Sequence, residues 1–147
     1  MNKEKLNVFQ EENPEELFPN YQELSQDECK KISKKISLKY LHRIENGLEL
    51  ARSLYDLSKQ IEGESAEDNF VLTTFLQRNG ICAKEECFID WYRFDQIDKF
   101  RTMDIDSTFC YLYYPFADDI CLFDDTLEWL LFINHDRTLN ICKSAGS

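Results

Sequence analysis

Apolar side chains recur at Cys29, Ile32, Ile36, Tyr40, Ile44, Leu48, Ala51 and Tyr55, in steps of three or four that trace one stripe along a helix. Leu41, Leu50, Leu54, Leu57 and Ile61 widen the stripe. Just before it, Ser25-Gln26-Asp27-Glu28 has the form of a capping box, in which the serine hydroxyl and the glutamate carboxylate each take an otherwise unpaired backbone N–H. A helix is predicted to start here, and Asn46-Gly47 to divide it in two. Gly63-Glu64-Ser65 closes this region, and Phe70, Leu72, Phe75 and Leu76 predict a further short helix over 67–78, stopped at Asn79-Gly80. Residues 1–24, with Pro14 and Pro19 among glutamates, carry no such period. They read as an acidic arm with room for one short helix.

After residue 86 the texture changes. Thirteen of the twenty aromatic residues fall between Phe88 and Phe132, interleaved with β-branched residues and punctuated by Asp and Pro, the pattern of short strands. Strands are predicted over 87–94, 108–114, 119–124, 127–134 and 138–142, with a short helix over 95–103. Asp124-Asp125-Thr126 and Asp136-Arg137 supply turns between the last three strands, which makes them an antiparallel meander. Within 127–134, Leu127, Trp129, Leu131 and Ile133 alternate onto one face and Leu130 and Phe132 onto the other. A strand that is apolar on both faces needs cover on both. The expected fold is α+β, a single domain over 1–147: an acidic arm (1–24), a helical N-terminal part (25–80), and an antiparallel sheet of about four or five strands (87–142) on which it packs. Trp129, Leu131 and Ile133 are expected to be buried together.

Composition narrows the function. The 147 residues are 43% apolar, enough for one domain with a real core, and 28 acidic against 17 basic side chains leave a net charge of -11. Such a charge repels phosphate backbones and anionic lipid and attracts basic proteins, so nucleic acid and membrane are not expected partners. No stretch reaches the roughly 18 apolar residues of a membrane-spanning helix, and no apolar signal follows the N-terminus, which points to the cytoplasm. Six cysteines without a Cys-x-x-Cys pair are expected to be reduced and mostly packed as small apolar residues. Lys30, Lys31, Lys34, Lys35, Lys39 and Arg43 form the one basic cluster; it reads as a solvated helix face facing the acidic arm rather than a nucleic-acid site.

The densest polar grouping is Asp118-Asp119 and Asp124-Asp125, with Asp104, Asp106 and Glu128 nearby in sequence. Clustered carboxylates suit a divalent cation, but an extended 119–124 sets the two pairs roughly 16 Å apart at about 3.3 Å per residue, too far to share one. No metal and no cofactor are expected. His42 and His135 lack a nucleophile motif, and a turn histidine bonded to Asp136 or to backbone explains His135. Four glycines form no phosphate-binding loop. The aromatic run through Tyr111, Tyr113 and Tyr114 is mainly core, with Tyr113 a candidate to emerge at a carboxylate-rimmed face, since tyrosine anchors protein interfaces. Turns lie at the surface, so these carboxylates are expected to stay solvated.

Three stretches carry a resemblance. Phe88-Ile89-Asp90-Trp91-Tyr92-Arg93-Phe94-Asp95-Gln96-Ile97-Asp98, Tyr114-Pro115-Phe116-Ala117-Asp118-Asp119-Ile120, and Phe123-Asp124-Asp125-Thr126-Leu127-Glu128-Trp129 with Ile133-Asn134-His135 resemble a pattern in small acidic bacterial proteins of the immunity-protein type, associated with contact-dependent growth inhibition and other polymorphic toxins. The resemblance implies an α+β fold, a cytoplasmic binder of a basic toxin domain such as a nuclease, and no catalytic residues. The expected interface is Asp118, Asp119, Asp124, Asp125, Glu128, Asp104, Asp106 and Tyr113, on a chain expected to be monomeric. Two alternatives remain: an interaction adaptor with an apolar interface, and a small carboxylate-dependent hydrolase using Asp118, Asp119 and His135.

Overall fold

The computed structural model describes residues 1–67 and 69–144; Asp68, inside the helix expected over 67–78, and residues 145–147 lie outside them. Twelve elements are described: α1 Lys3–Glu12, β1 Gln22–Glu23, α2 Gln26–Leu41, α3 Gly47–Leu57, β2 Lys59–Ser65, α4 Leu72–Arg78, β3 Glu86–Asp90, β4 Ile97–Arg101, α5 Thr102–Leu112, β5 Ile120–Phe123, β6 Trp129–Ile133 and β7 Thr138–Lys143. The strands form one antiparallel sheet in the order β1-β4-β3-β5-β6-β7-β2. The class is α+β, but helices and strands interleave instead of dividing into a helical half and a sheet half.

Both faces of the sheet are covered, as the two-faced pattern of β6 requires. Trp129, Leu131 and Ile133 join Phe75 and Leu76 of α4 and Ile105, Phe109 and Leu112 of α5 in one core. Leu130 and Phe132 point the other way and meet Ile36 of α2 and Leu50 and Leu54 of α3. Leu127 belongs to this second core, not to the face of Trp129. It lies before the strand with φ 55°, and in that left-handed turn the alternation of an extended strand does not apply.

Local signals account for much of the helical part. Ser25 Oγ accepts from Glu28 N at 3.1 Å while Glu28 Oε1 accepts from Ser25 N at 3.0 Å, completing the capping box of α2. The break before Gly47 separates α2 from α3. Lys30, Lys31, Lys34 and Lys35 lie on the solvent face of α2, and none of them is ion-paired with the acidic N-terminal segment.

Two expectations are reversed. Residues 95–103, read as helix, contain β4, because Ile97 and Phe100 face opposite cores and pair with Asp90 and Cys87 of β3. Asp98, which broke the apolar alternation, is buried as the acceptor of Trp91 Nε1 at 2.8 Å and the partner of the Met1 ammonium at 2.8 Å. Residues 108–114, read as strand, lie largely in α5: Thr102, Ile105, Thr108, Phe109 and Leu112 are buried at helical spacing, and packing against α4 and the sheet outweighs the β-propensity of an aromatic run. The stripe extended through Ile61 likewise ends at Leu57, and from Lys59 the chain continues as β2, which pairs with β7.

The acidic N-terminal segment is tied to the domain. Phe9 of α1 packs edge-on against Tyr111 of α5. Lys5 is buried; its Nζ donates to Asp118 at 2.5 Å and to the Leu112 carbonyl at 3.0 Å, and it sits 3.8 Å from the centre of the Tyr114 ring. Removing one partner of such a pair strands the other. Lys5→Ala is therefore expected to cost about 2 to 3 kcal/mol in a urea titration, and a loss below about 0.5 kcal/mol would mean that α1 contributes little to the fold.

Candidate binding cleft

The expected interface residues divide into structural and exposed groups. Asp124 is 2% exposed and serves the turn before β6: its Oδ1 accepts from Thr126 N at 2.9 Å and from Thr126 Oγ1, and its Oδ2 accepts from Trp129 Nε1 at 3.0 Å. Asp118 takes Tyr114 N at 2.7 Å as well as Lys5. Asp104, buried in the first turn of α5, is held by Arg101 Nε at 2.9 Å. Asp106 accepts from Thr73 Oγ1 at 2.7 Å, and its other oxygen faces Thr73 N at 3.4 Å, supplying a cap that α4 lacks at Val71. Tyr113 is buried and donates its hydroxyl to the Asn134 carbonyl. These five side chains hold turns and helix ends together, which is why proximity in sequence did not make them a surface.

Asp119, Asp125 and Glu128 remain exposed. Asp125 pairs with Lys84 at 2.6 Å, and that bond holds its carboxyl below the usual range. It lies with Glu128 at one end of β5, while Asp119 lies at the other. Asp119 accepts from His135 N at 2.7 Å and contacts His135 Nδ1 at 2.9 Å. The histidine is therefore partnered by Asp119 rather than Asp136, and the contact raises its pKa above the ordinary value.

Asp119 and His135 stand on the rim of a cleft of about 520 Å3. One wall is α3, with Ala51, Arg52, Tyr55 and Asp56; the opposite wall is the β3–β4 turn, with Tyr92, Arg93 and Phe94. Phe132 and Cys121 of the sheet line its apolar base, and Asn134, His135 and Asp136 close one end. Asp136 is exposed, and hydrogen bonds from Thr138 N at 3.1 Å and Thr138 Oγ1 at 2.7 Å hold its carboxyl below the usual range. Four carboxylates line the cleft against two arginines, so the cleft is acidic with aromatic flanks.

The turn wall is unusual. Arg93 and Phe94 have φ of 50° and 61°, and Asp95 N donates to the Tyr92 carbonyl at 3.0 Å. This is the geometry of a type I′ hairpin turn, ordinarily built from Asn-Gly, and each non-glycine residue in the left-handed region costs roughly 1 kcal/mol or more. Asp90 compensates from beneath: its Oδ1 accepts from Tyr92 N at 3.2 Å, and the N–H groups of Phe94 and Gln96 also favour its ionised form. It is 5% exposed and has no cationic partner among the described residues. Burial pushes the Asp90 carboxyl up to about 7, against the pull of those N–H groups.

The cleft residues other than Asp119 and His135 were not singled out as a site in the sequence. The available signal was Asp90, a charge between Ile89 and Trp91 in a strand otherwise destined for the core. The hydrolase constellation is only half assembled, because Asp118 turns away to Lys5. Cys121 is buried and burial raises its thiol pKa well above the ordinary value, the opposite of an activated nucleophile. Among the described residues no three His, Cys, Asp or Glu side chains converge as a metal site requires, no helix is long and apolar enough to cross a membrane, and all six cysteines are free. Compared with protein-family models, curated proteins and solved structures, the chain matches none.

Proposed function

We propose that the protein is a non-catalytic, cytoplasmic binding protein of the toxin-neutralising type, which occludes a basic protein domain with the acidic cleft end of its sheet. The observation that carries this reading is the cleft itself: Asp56, Asp119 and Asp136 line a concave surface with Tyr55 and Tyr92, on a molecule of net charge -11. Tyrosines give contact area at low entropic cost, and carboxylates steer a cationic partner and reject anionic ones. The resemblance of residues 88–135 to immunity-type proteins supports the same class. A toxin that handles phosphates, such as a nuclease, has the complementary charge.

The test is to read the gene immediately upstream, expected to encode a large secreted protein with a variable C-terminal domain, and to co-express that domain with this chain. Growth is expected to be restored, and Asp119→Asn with Asp136→Asn is expected to slow association at least 10-fold at low salt and flatten its salt dependence. Absence of such a neighbouring gene, or toxicity undiminished by the wild-type chain, overturns the reading. The adaptor alternative draws on the exposed apolar side chains Leu38, Ile44 and Leu48; partner binding indifferent to salt and to the double substitution would favour it.

A further inference from the structure

The cleft contains a feature that surface steering does not use. Steering needs charges at the rim, in water, where Asp119 and Asp136 already are. Asp90 is instead withdrawn to the base of the cleft, 5% exposed. A carboxylate so placed is costly to ionise unless a cation joins it. The titratable groups that face it do not help: Asp95 from the turn repels it, and Cys121 of β5 and Cys29 of α2 are thiols whose own ionisation it opposes. Arg52 lines the wall formed by α3 and Arg93 the turn, and neither forms an ion pair with Asp90. Tyr55, Tyr92 and Phe132 line the same cleft; aromatic ring faces attract cations, and that of Tyr92 already holds the Arg93 guanidinium at 4.6 Å.

From this geometry we infer that the cleft is a receptor for one lysine or arginine side chain of a bound protein, whose stem lies along Tyr55 and Tyr92 and whose charge pairs with Asp90. The inference rests on the cationic-partner reading and adds to it a defined socket with a proton balance. Burial holds the empty socket's carboxyl near neutrality, at about 7. A cation that enters favours the ionised form, so binding releases the proton of Asp90 to solvent, and affinity rises with pH. If pairing returns the group to the ordinary carboxylate range, linkage gives an increase of roughly 30-fold between pH 5.5 and 8. His135 at the rim acts in the same sense, because its protonated form repels the incoming cation. It must therefore be removed in the test.

The probe is the peptide acetyl-Gly-Gly-Arg-Gly-Gly-amide, with its lysine analogue and a citrulline control of the same shape and no charge. Its binding to His135→Asn protein is followed by NMR, reading the amides of Tyr92 and Phe94 and the Asp90 carboxyl carbon across pH. The cationic peptides are expected to shift those amides, to bind at least 10-fold more tightly at pH 8 than at 5.5, and to lower the Asp90 titration midpoint; citrulline should do none of this. Asp90→Asn should flatten the pH dependence. Ala51→Phe, which plugs the cleft from α3 and leaves Asp90 in place, should abolish binding and, because it adds burial, should not lower the free-protein midpoint. Peptide binding that leaves the Asp90 midpoint unmoved, or that survives Ala51→Phe, overturns the inference. If the basic toxin domain is still neutralised in that event, the socket fails while the binding-protein reading stands; if neither peptide nor toxin binds, both fall.

Discussion

Trp129→Ala is expected to lower the free energy of unfolding by about 3 to 5 kcal/mol, the range for deleting a buried aromatic side chain. Two losses act together. The indole is 2% exposed and fills the core beneath α4 and α5, so its removal leaves a cavity among side chains held by the sheet. Its Nε1 also donates to Asp124 Oδ2, and a buried acceptor deprived of its donor adds its own cost. Trp129→Phe separates the two: it keeps most of the volume, loses the bond, and is expected to cost about 1 to 3 kcal/mol. Urea titration of both variants reads these numbers directly. A Trp129→Ala loss below about 1 kcal/mol would contradict the burial of this strand. The same bond makes Asp124 a determinant of stability, so replacing Asp124 and Asp125 together would mix a structural loss with an electrostatic one.

Asp90→Asn is expected to act in the opposite direction, and only at high pH. The folded-state pKa, about 7, lies above the ordinary value of 3.8, so the fold prefers the neutral acid. Its contribution is complete below about pH 4 and is lost as pH rises through 7. Three units at about 1.4 kcal/mol each set an upper bound of roughly 4 kcal/mol above pH 8. An amide escapes that loss but is a weaker acceptor for the turn's N–H groups, which leaves a net gain of about 2 kcal/mol at pH 8 and little change at pH 4. Thermal melts of both proteins at the two pH values measure it. A variant less stable than wild type at pH 8 would show that the acceptor role of Asp90 outweighs its burial. A natural residue that costs stability at working pH is characteristic of a site shaped for function.

The elements legible in the sequence were those with local causes. The capping box of α2, the break before Gly47, and the turns of the β5–β6–β7 meander each depend on a few adjacent residues. The two-faced character of β6 was readable because every position in it is apolar. What escaped depends on contacts between distant segments. Asp98 looks like a strand breaker until Trp91 and the N-terminus are brought to it. The aromatic residues of α5 look β-forming until its helical stripe is traced back to Thr102 and laid against α4. The cleft draws Asp56, Asp90, Asp119 and Asp136 from four segments. Nearness along the chain instead suggested a cluster that folding disperses, with Asp118, Asp124, Asp104 and Asp106 turned to internal duties.

The two outer strands bear on whether the sheet can extend into a second chain. β1 is two residues long, and β2 is interrupted by a register shift between Gln60 and Ser65 while carrying Lys59, Glu62 and Glu64. Sheets extend into neighbouring chains through long, regular rows of free backbone donors and acceptors, and neither margin of this sheet offers one. Polymer growth along the strand-stacking direction is thereby blocked at both ends. A protein that binds this chain must therefore do so through side-chain surfaces rather than through an added strand.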